Sequence, residues 1–344
     1  MTRPILRIIG VLFLFLGTAG LSIPEARGQM DMPDPRNSVQ ALAVDPGGSV
    51  YMGTFGNGIF RTRDGGATWE SITGNLGDLY IMTLLVAPAP PGGKGARTLF
   101  AGGARWGVFR SRDEGGHWEK VNEGLKDTEI SVLLRDAKGR LYAATGKGVF
   151  VSDDDGAHWR AKNTGLSDVL VRSLAIGRDG TLFAGTAGKG FYRLNSGQSK
   201  WEQLTRGFEK ERGLRENFIR VLTLAPDGAL YAGTFDGGVF SSRDGGRTWN
   251  DLNQGLVNQS IRAILAGKNG VLFVGTGRGI FMRGPKDGKW GAIHGELEDL
   301  NIQSMVMDDD GDLYAGTSAH LYKGSATGDW HTLTGKLFGG KAKT

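Results

Sequence analysis

Cysteine is missing from the 344-residue sequence. That excludes a disulfide framework, thiolate metal sites, a cysteine nucleophile and a cysteine-anchored lipoprotein. Histidine is scarce: the five residues are scattered and form no evident metal-ligand set. No His-Glu-x-x-His, Walker loop or Gly-x-Ser-x-Gly motif occurs, so no catalytic, metal or cofactor motif stands out. Proline is sparse at 10 residues, whereas glycine is abundant at 58, well above the roughly 7% of an average chain. Together they stay below the content that marks low-complexity disorder. With 39% hydrophobic and 22% charged residues the chain can bury a core. Glycine therefore serves turns, and many turns imply many short strands. Collagen and a long helical bundle are excluded.

Arg3 and Arg7 precede an apolar run from Ile8 to Leu21, followed by Ile23-Pro24-Glu25-Ala26-Arg27-Gly28. A basic start, a short apolar stretch and a small-x-small site read as a secretory signal peptide over residues 1–28. The run is short of the roughly 20 residues of a membrane span, and retention as an uncleaved anchor is the alternative. Cleavage after Gly28 takes the formal charge from +5 to +3, a mild basicity that is not a nucleic-acid footprint. The mature chain is expected in a periplasm or outside the cell, with no membrane span.

Internal repeats dominate what remains. Seven copies begin at Val39, Ile81, Ile130, Val171, Ile219, Ile261 and Ile302. Trp69, Trp118, Trp159, Trp201, Trp249, Trp290 and Trp330 fall at one point of the repeat, and a Gly-Thr pair recurs at Gly53, Gly185, Gly233, Gly275 and Gly316, altered at Gly102 and Ala144. Four short strand-like runs per repeat predict an all-β, seven-bladed propeller of four-stranded antiparallel blades; a solenoid is the weaker fit because its repeats are shorter. The expected organisation is a lead-in over 29–37, a propeller over 38–338 and a basic tail over 339–344. The blades run approximately over 38–76, 77–126, 127–167, 168–208, 209–257, 258–298 and 299–338. Insertions fall at 87–97, read as a flexible surface loop, and at 208–217, read as a solvated connection, a short helix or a partner-contacting loop. No strand is left over to interlock the ends, so blade one is expected to pack simply on blade seven, unless 29–37 adds a strand.

Between the third and fourth runs a second pattern reads Thr62-x-Asp64-x-Gly66-x-Thr68-Trp69, with counterparts at Ser111, Asp113, Gly115 and Trp118, at Ser152, Asp154, Gly156 and Trp159, and at Ser242, Asp244, Gly246 and Trp249. In each hairpin the aspartate is suited to accept from turn amides, the glycine to take positive φ, and the indole to pack over the turn. His117 and His158 fall inside these boxes, where packing accounts for them. The runs Asp153-Asp154-Asp155 and Asp308-Asp309-Asp310 lack the spacing of a calcium loop and read as solvated turns. The boxed pattern resembles the Asp-box, or BNR repeat, which places the chain near that propeller superfamily.

Antiparallel order puts the starts of the first strands, at the channel mouth, on the face away from the boxes. The second position of the first strand reads Gln40, Met82, Ser131, Arg172, Arg220, Arg262 and Gln303. Three arginines on consecutive blades form a candidate arc for an anionic ligand or an acidic partner segment. The turns after the Gly-Thr pair add Arg105, Trp106, Lys147, Lys189, Phe235, Arg278 and His320. The competing reading pairs each arginine with a carboxylate such as Asp78, Asp127, Glu129, Asp168 or Asp299.

Several Asp-box families bear on function. The chain is most similar to the photosystem II assembly and stability factor type, a single exported propeller. That resemblance implies a non-enzymatic module whose basic patch, carried to Arg172, Arg220 and Arg262 as a chemical likeness, holds a partner protein. Sialidases use six blades and an Arg-Ile-Pro motif, which this sequence lacks. Xyloglucanase-type enzymes set paired aspartates between two propellers, and one is present here. Asp236, Glu129 and Asp299 are nominal hydrolytic candidates only. Sensing propellers of two-component regulators share Gly-Thr-x-x-Gly-Gly but continue into a membrane helix and a kinase. The expectation is an exported, non-catalytic module that binds a protein or anionic ligand at the mouth, with no cofactor. The alternative is a carbohydrate-active protein, either glycoside hydrolase or glycan binder.

Overall fold

The computed structural model describes residues 34–338 except 78–79, 88–96, 167–168, 205–217, 287, 296 and 336. The expected signal peptide, the lead-in to residue 33, the 208–217 insertion, Asp78, Asp168 and the 339–344 tail lie outside the described residues. Seven four-stranded antiparallel sheets follow one another, each made of strands consecutive in sequence. They are the blades of an all-β, seven-bladed propeller. Its described helical residues are two short 3₁₀ turns, Pro35–Asn37 and Lys268–Gly270. The first of these occupies the described end of the lead-in, where no strand is added. The 87–97 insertion is anchored at both ends: Ala87 is buried and Arg97 pairs with Asp45.

First strands (Val39–Val44, Ile81–Val86, Ile130–Arg135, Val171–Ile176, Ile219–Leu224, Ile261–Ala266 and Ile302–Met307) pack on one another around the centre. Second strands, such as Leu230–Thr234, are buried at every position. Both of their faces meet neighbouring blades, so the polar–apolar alternation of a half-exposed strand is lost. The apolar core accordingly divides into seven clusters, each straddling two blades.

The Gly-Thr pair sets this packing. A Cβ at Gly53, Gly185, Gly233 or Gly275 would lie 2.5 Å from Cγ2 of the isoleucine that opens the next blade. Gly316 meets Val39 in the same way, and Ser304 Oγ donates to Val39 O at 2.9 Å, so blade seven closes directly onto blade one. The threonine is fully buried. Thr54 Oγ1 donates to Gly58 O at 3.0 Å and accepts from Asn57 N at 2.9 Å, which caps the mouth turn, and Thr234 repeats the pattern.

On the opposite face, Asp64 Oδ1 accepts from Thr68 N at 2.9 Å and from Thr62 Oγ1 at 2.7 Å. Asp113, Asp154 and Asp244 accept the equivalent N–H at 2.8, 2.9 and 2.9 Å. These bonds favour the anion and hold Asp64, Asp154 and Asp244 at about 2. Three of the four box indoles reach beyond their own turn, while Trp249 Nε1 donates to Gly246 O within it. Trp118 Nε1 donates to Ile72 O at 2.8 Å and Trp159 Nε1 to Val121 O at 2.9 Å, each in the preceding blade. The packing expected for the two box histidines is not found. His117 and His158 are exposed, because the box turn directs this position to solvent. His158 Nδ1 instead lies 2.7 Å from Asp154 Oδ2, taking the place of the threonine hydroxyl in the Asp64 and Asp244 boxes.

A buried arginine joins each of three blades to the next. Arg110 Nε meets Glu119 Oε1 of its own blade at 2.7 Å, while Nη1 donates to Asp155 O of the next box at 2.6 Å. Arg61 likewise reaches Glu114 O, and Arg193 reaches Gly245 O. The three carbonyls belong to left-handed residues, with φ of 59° at Glu114, 52° at Asp155 and 72° at Gly245. Where the following blade lacks the box aspartate, this third-strand position holds Val151, Ser241 or Met282.

Candidate binding face at the channel mouth

Every first strand carries a β-bulge after its opening residue. The second residue is left out of the ladder, and bulges of this kind re-aim a side chain. The residues released are Gln40, Met82, Ser131, Arg172, Arg220, Arg262 and Gln303, all half-buried. The sequence places arginines at this position; the bulge that frees them has no sequence signal of its own.

The three arginines have different surroundings. Arg172 Nη1 pairs with Glu129 Oε1 at 3.0 Å. Arg262 Nη1 donates to Asn301 Oδ1 at 2.5 Å, and its buried Nε has no partner among the described residues. Arg220 has neither a hydrogen bond nor an ion pair among the described residues; its guanidinium lies 5.3 Å from the Phe235 ring centroid. Burial, and then the positive charges of Arg262 and Arg172, lower the Arg220 pKa. Carboxylate pairing therefore accounts for Arg172 and leaves Arg220 uncompensated. Asp299 is occupied, accepting from Ser318 Oγ at 2.7 Å and Asn301 N at 2.9 Å.

A cavity of about 330 Å³ lies beside Arg172 and Arg220 and extends to Met82, Phe218 and Phe235. Ser131 also lines it, with a buried Oγ that has no hydrogen-bond partner among the described residues. Arg105, Trp106, Lys147, Lys189 and Arg278 stand exposed on the surrounding turns. Arg105 stacks on Tyr80 at 4.7 Å and Lys120 on Trp106 at 5.0 Å. Lys147, Lys189 and Arg278 make no side-chain hydrogen bond or ion pair among the described residues, and no such bond joins them to the arginine trio. Their contribution is a basic rim.

Exposed large apolar side chains among the described residues are Phe55, Trp106, Phe235 and Val257. The first three lie on mouth turns, and Val257 lies on a connection from a fourth strand to the next first strand, on the same face. Trp106 and Phe235 are about half exposed, at 48% and 49%. Phe55 and Val257 escaped the sequence reading because exposure is a tertiary property. No described helix is long and apolar enough to cross a membrane.

No family model and no curated protein matches the chain. Solved structures do. The extracellular domain of a hybrid two-component system from B. thetaiotaomicron is similar with a TM-score of 0.68 at 22% identity, over 85% of this chain and 39% of that one. An ancestral GH74 enzyme is similar with a TM-score of 0.68 at 18% identity, over 88% and 47%. The chain thus spans less than half the length of either. YCF48 bound to D1 peptide is similar with a TM-score of 0.64 at 18% identity, over 86% and 96%. At these identities the likeness is one of fold, a seven-bladed propeller that carries differing functions.

Proposed function

We propose that the chain is an exported interaction module whose mouth face binds an acidic segment of a partner protein, with Arg172, Arg220 and Arg262 as the anion-binding arc. The observation that carries this is Arg220: half-buried, among like charges and without a carboxylate partner among the described residues. An incoming carboxylate would relieve that repulsion and accept forked hydrogen bonds. Exposed Phe235 and Trp106 add stacking area of the kind found at protein interfaces. A neighbour of similar length, YCF48, is known with a bound peptide, which supports the same use of the fold.

The test is capture from a native envelope extract with the mature chain and with an Arg172/Arg220/Arg262→Ala variant checked for folding. A protein retained by the wild type and lost by the variant is the expected result. Equal recovery from both rejects the arc. If no protein is retained and the chain instead cleaves or holds oligosaccharides, the carbohydrate reading replaces this one.

A further inference from the structure

A second cleft, of about 680 Å³, opens between blades four and five on the box face, away from the mouth. Comparison with the other clasped junctions shows why it is open. Between blades one and two, the Glu114 side chain fills the equivalent place, its Oε2 at 3.0 Å from both Arg61 Nη1 and Arg63 Nη2. Between blades two and three the same position is again acidic: Asp155, whose O meets Arg110 of blade two while its Oδ1 lies 3.3 Å from Arg135 Nη2 of its own blade. At the third junction the residue is Gly245, and that position brings no acidic side chain to the cleft.

Arg193 of this junction is 5% exposed. It spends Nη2 on Glu202 and Nη1 on Gly245 O. Its Nε has no partner among the described residues, whereas Nε of Arg61 and of Arg110 donates to a glutamate. Arg178 and Arg247 bring two more guanidinium groups to the lining, and Arg178 has no hydrogen bond or ion pair among the described residues. The lining carboxylates are already engaged. Asp179 accepts from Thr181 N at 3.0 Å and Oγ1 at 2.7 Å, and Asp244 accepts from Thr248 and Ser242. Ile176, Phe183 and Leu224 form an apolar wall.

We propose that this cleft is a small-molecule site, independent of the mouth, for an organic anion with an apolar body, whose carboxylate takes the place of the acidic side chain lost at Gly245. The volume lies within the range of about 300–1,000 Å³ usual for such sites. It is larger than an inorganic anion needs, and the apolar wall calls for a hydrocarbon or aromatic part.

The probe is 3-phenylpropionate, followed by calorimetry and by the arginine Nε–H resonances, with 3-phenylpropionamide as the uncharged control. Saturable binding of the acid that shifts the Arg193 signal, with the amide at least about tenfold weaker, is expected. Gly245→Glu supplies the missing carboxylate from the chain itself and should abolish binding. A Cβ at Gly245 would sit 3.1 Å from Arg193 Nη1, and Glu114 and Asp155 already adopt this backbone shape. Should that variant fold poorly, Arg247→Ala, an exposed change, is expected to weaken binding several-fold. The Arg172/Arg220/Arg262→Ala variant should bind as the wild type does. No saturable binding, equal binding of acid and amide, or unchanged affinity in both Gly245→Glu and Arg247→Ala overturns the proposal.

Discussion

The chain places charged residues where a local geometry holds them. Each box aspartate accepts bonds from its own turn, and that fixes its ionisation. The carboxyls of Asp64, Asp154 and Asp244 titrate at about 2, below the ordinary 3.8. A lowered folded-state value contributes stability that is complete above the ordinary value and lost as pH falls toward 2. Urea midpoints are therefore expected to drop between pH 4 and 2, and Asp154→Asn to flatten part of that slope. A midpoint independent of pH over this window would contradict it. His158 has the opposite sign: its pKa is raised by the bond to Asp154 and by the charge of Glu123, so its contribution is present below about 6.5 and fades as pH rises through the raised value.

Blades meet through a matched pair of small and branched residues. The Gly-Thr glycine leaves room for the isoleucine of the next blade, and the exception follows the same logic: Ala144 stands in the glycine position of blade three, and blade four opens with Val171 in place of isoleucine. Gly275→Ala is accordingly expected to destabilise by about 1–3 kcal/mol through overpacking, since its Cβ would fall 2.5 Å from Ile302 Cγ2 and 2.8 Å from Met305 Sδ. Adding Ile302→Val should recover part of the loss. Denaturant unfolding of both variants decides it: no loss in the single variant, or no recovery in the double one, refutes the size matching. The glycine recurrence was plain in the sequence; its partner, some 27 to 34 residues ahead in the chain, was visible only once the blades were side by side.

No blade has a core of its own at the level of the whole ring. Each apolar cluster draws on two neighbours, including the one that joins Val39, Val50 and Met52 to Tyr314 and Leu321 across the seam. Trp69 Nε1 donates to Leu333 O at 3.1 Å across the same boundary. Ending the chain after Glu298, which removes blade seven, leaves two apolar faces uncovered. The remainder is expected to lose near-ultraviolet circular dichroism and to bind a hydrophobic dye. A rigid, dye-free remainder would show that six blades suffice. Loops on a packed scaffold are where function most often sits, and among the described residues the exposed apolar side chains and Arg220, which has no carboxylate partner there, share the mouth face.

The sequence by itself determined the repeat, the blade number, the strand order and the positions of the boxes, because turn chemistry and strand patterning are local and recur seven times. It also placed three arginines at one repeat position. Only the tertiary structure decided which of them is spoken for: Arg172 finds Glu129 from another blade, Arg262 finds Asn301, and Arg220 finds an aromatic ring. The bulges, the arginine clasps and the open place at Gly245 belong to that level too. The clasps and the place at Gly245 depend on what the neighbouring blade brings, 45 to 53 residues away in the chain, and no local pattern records that distance.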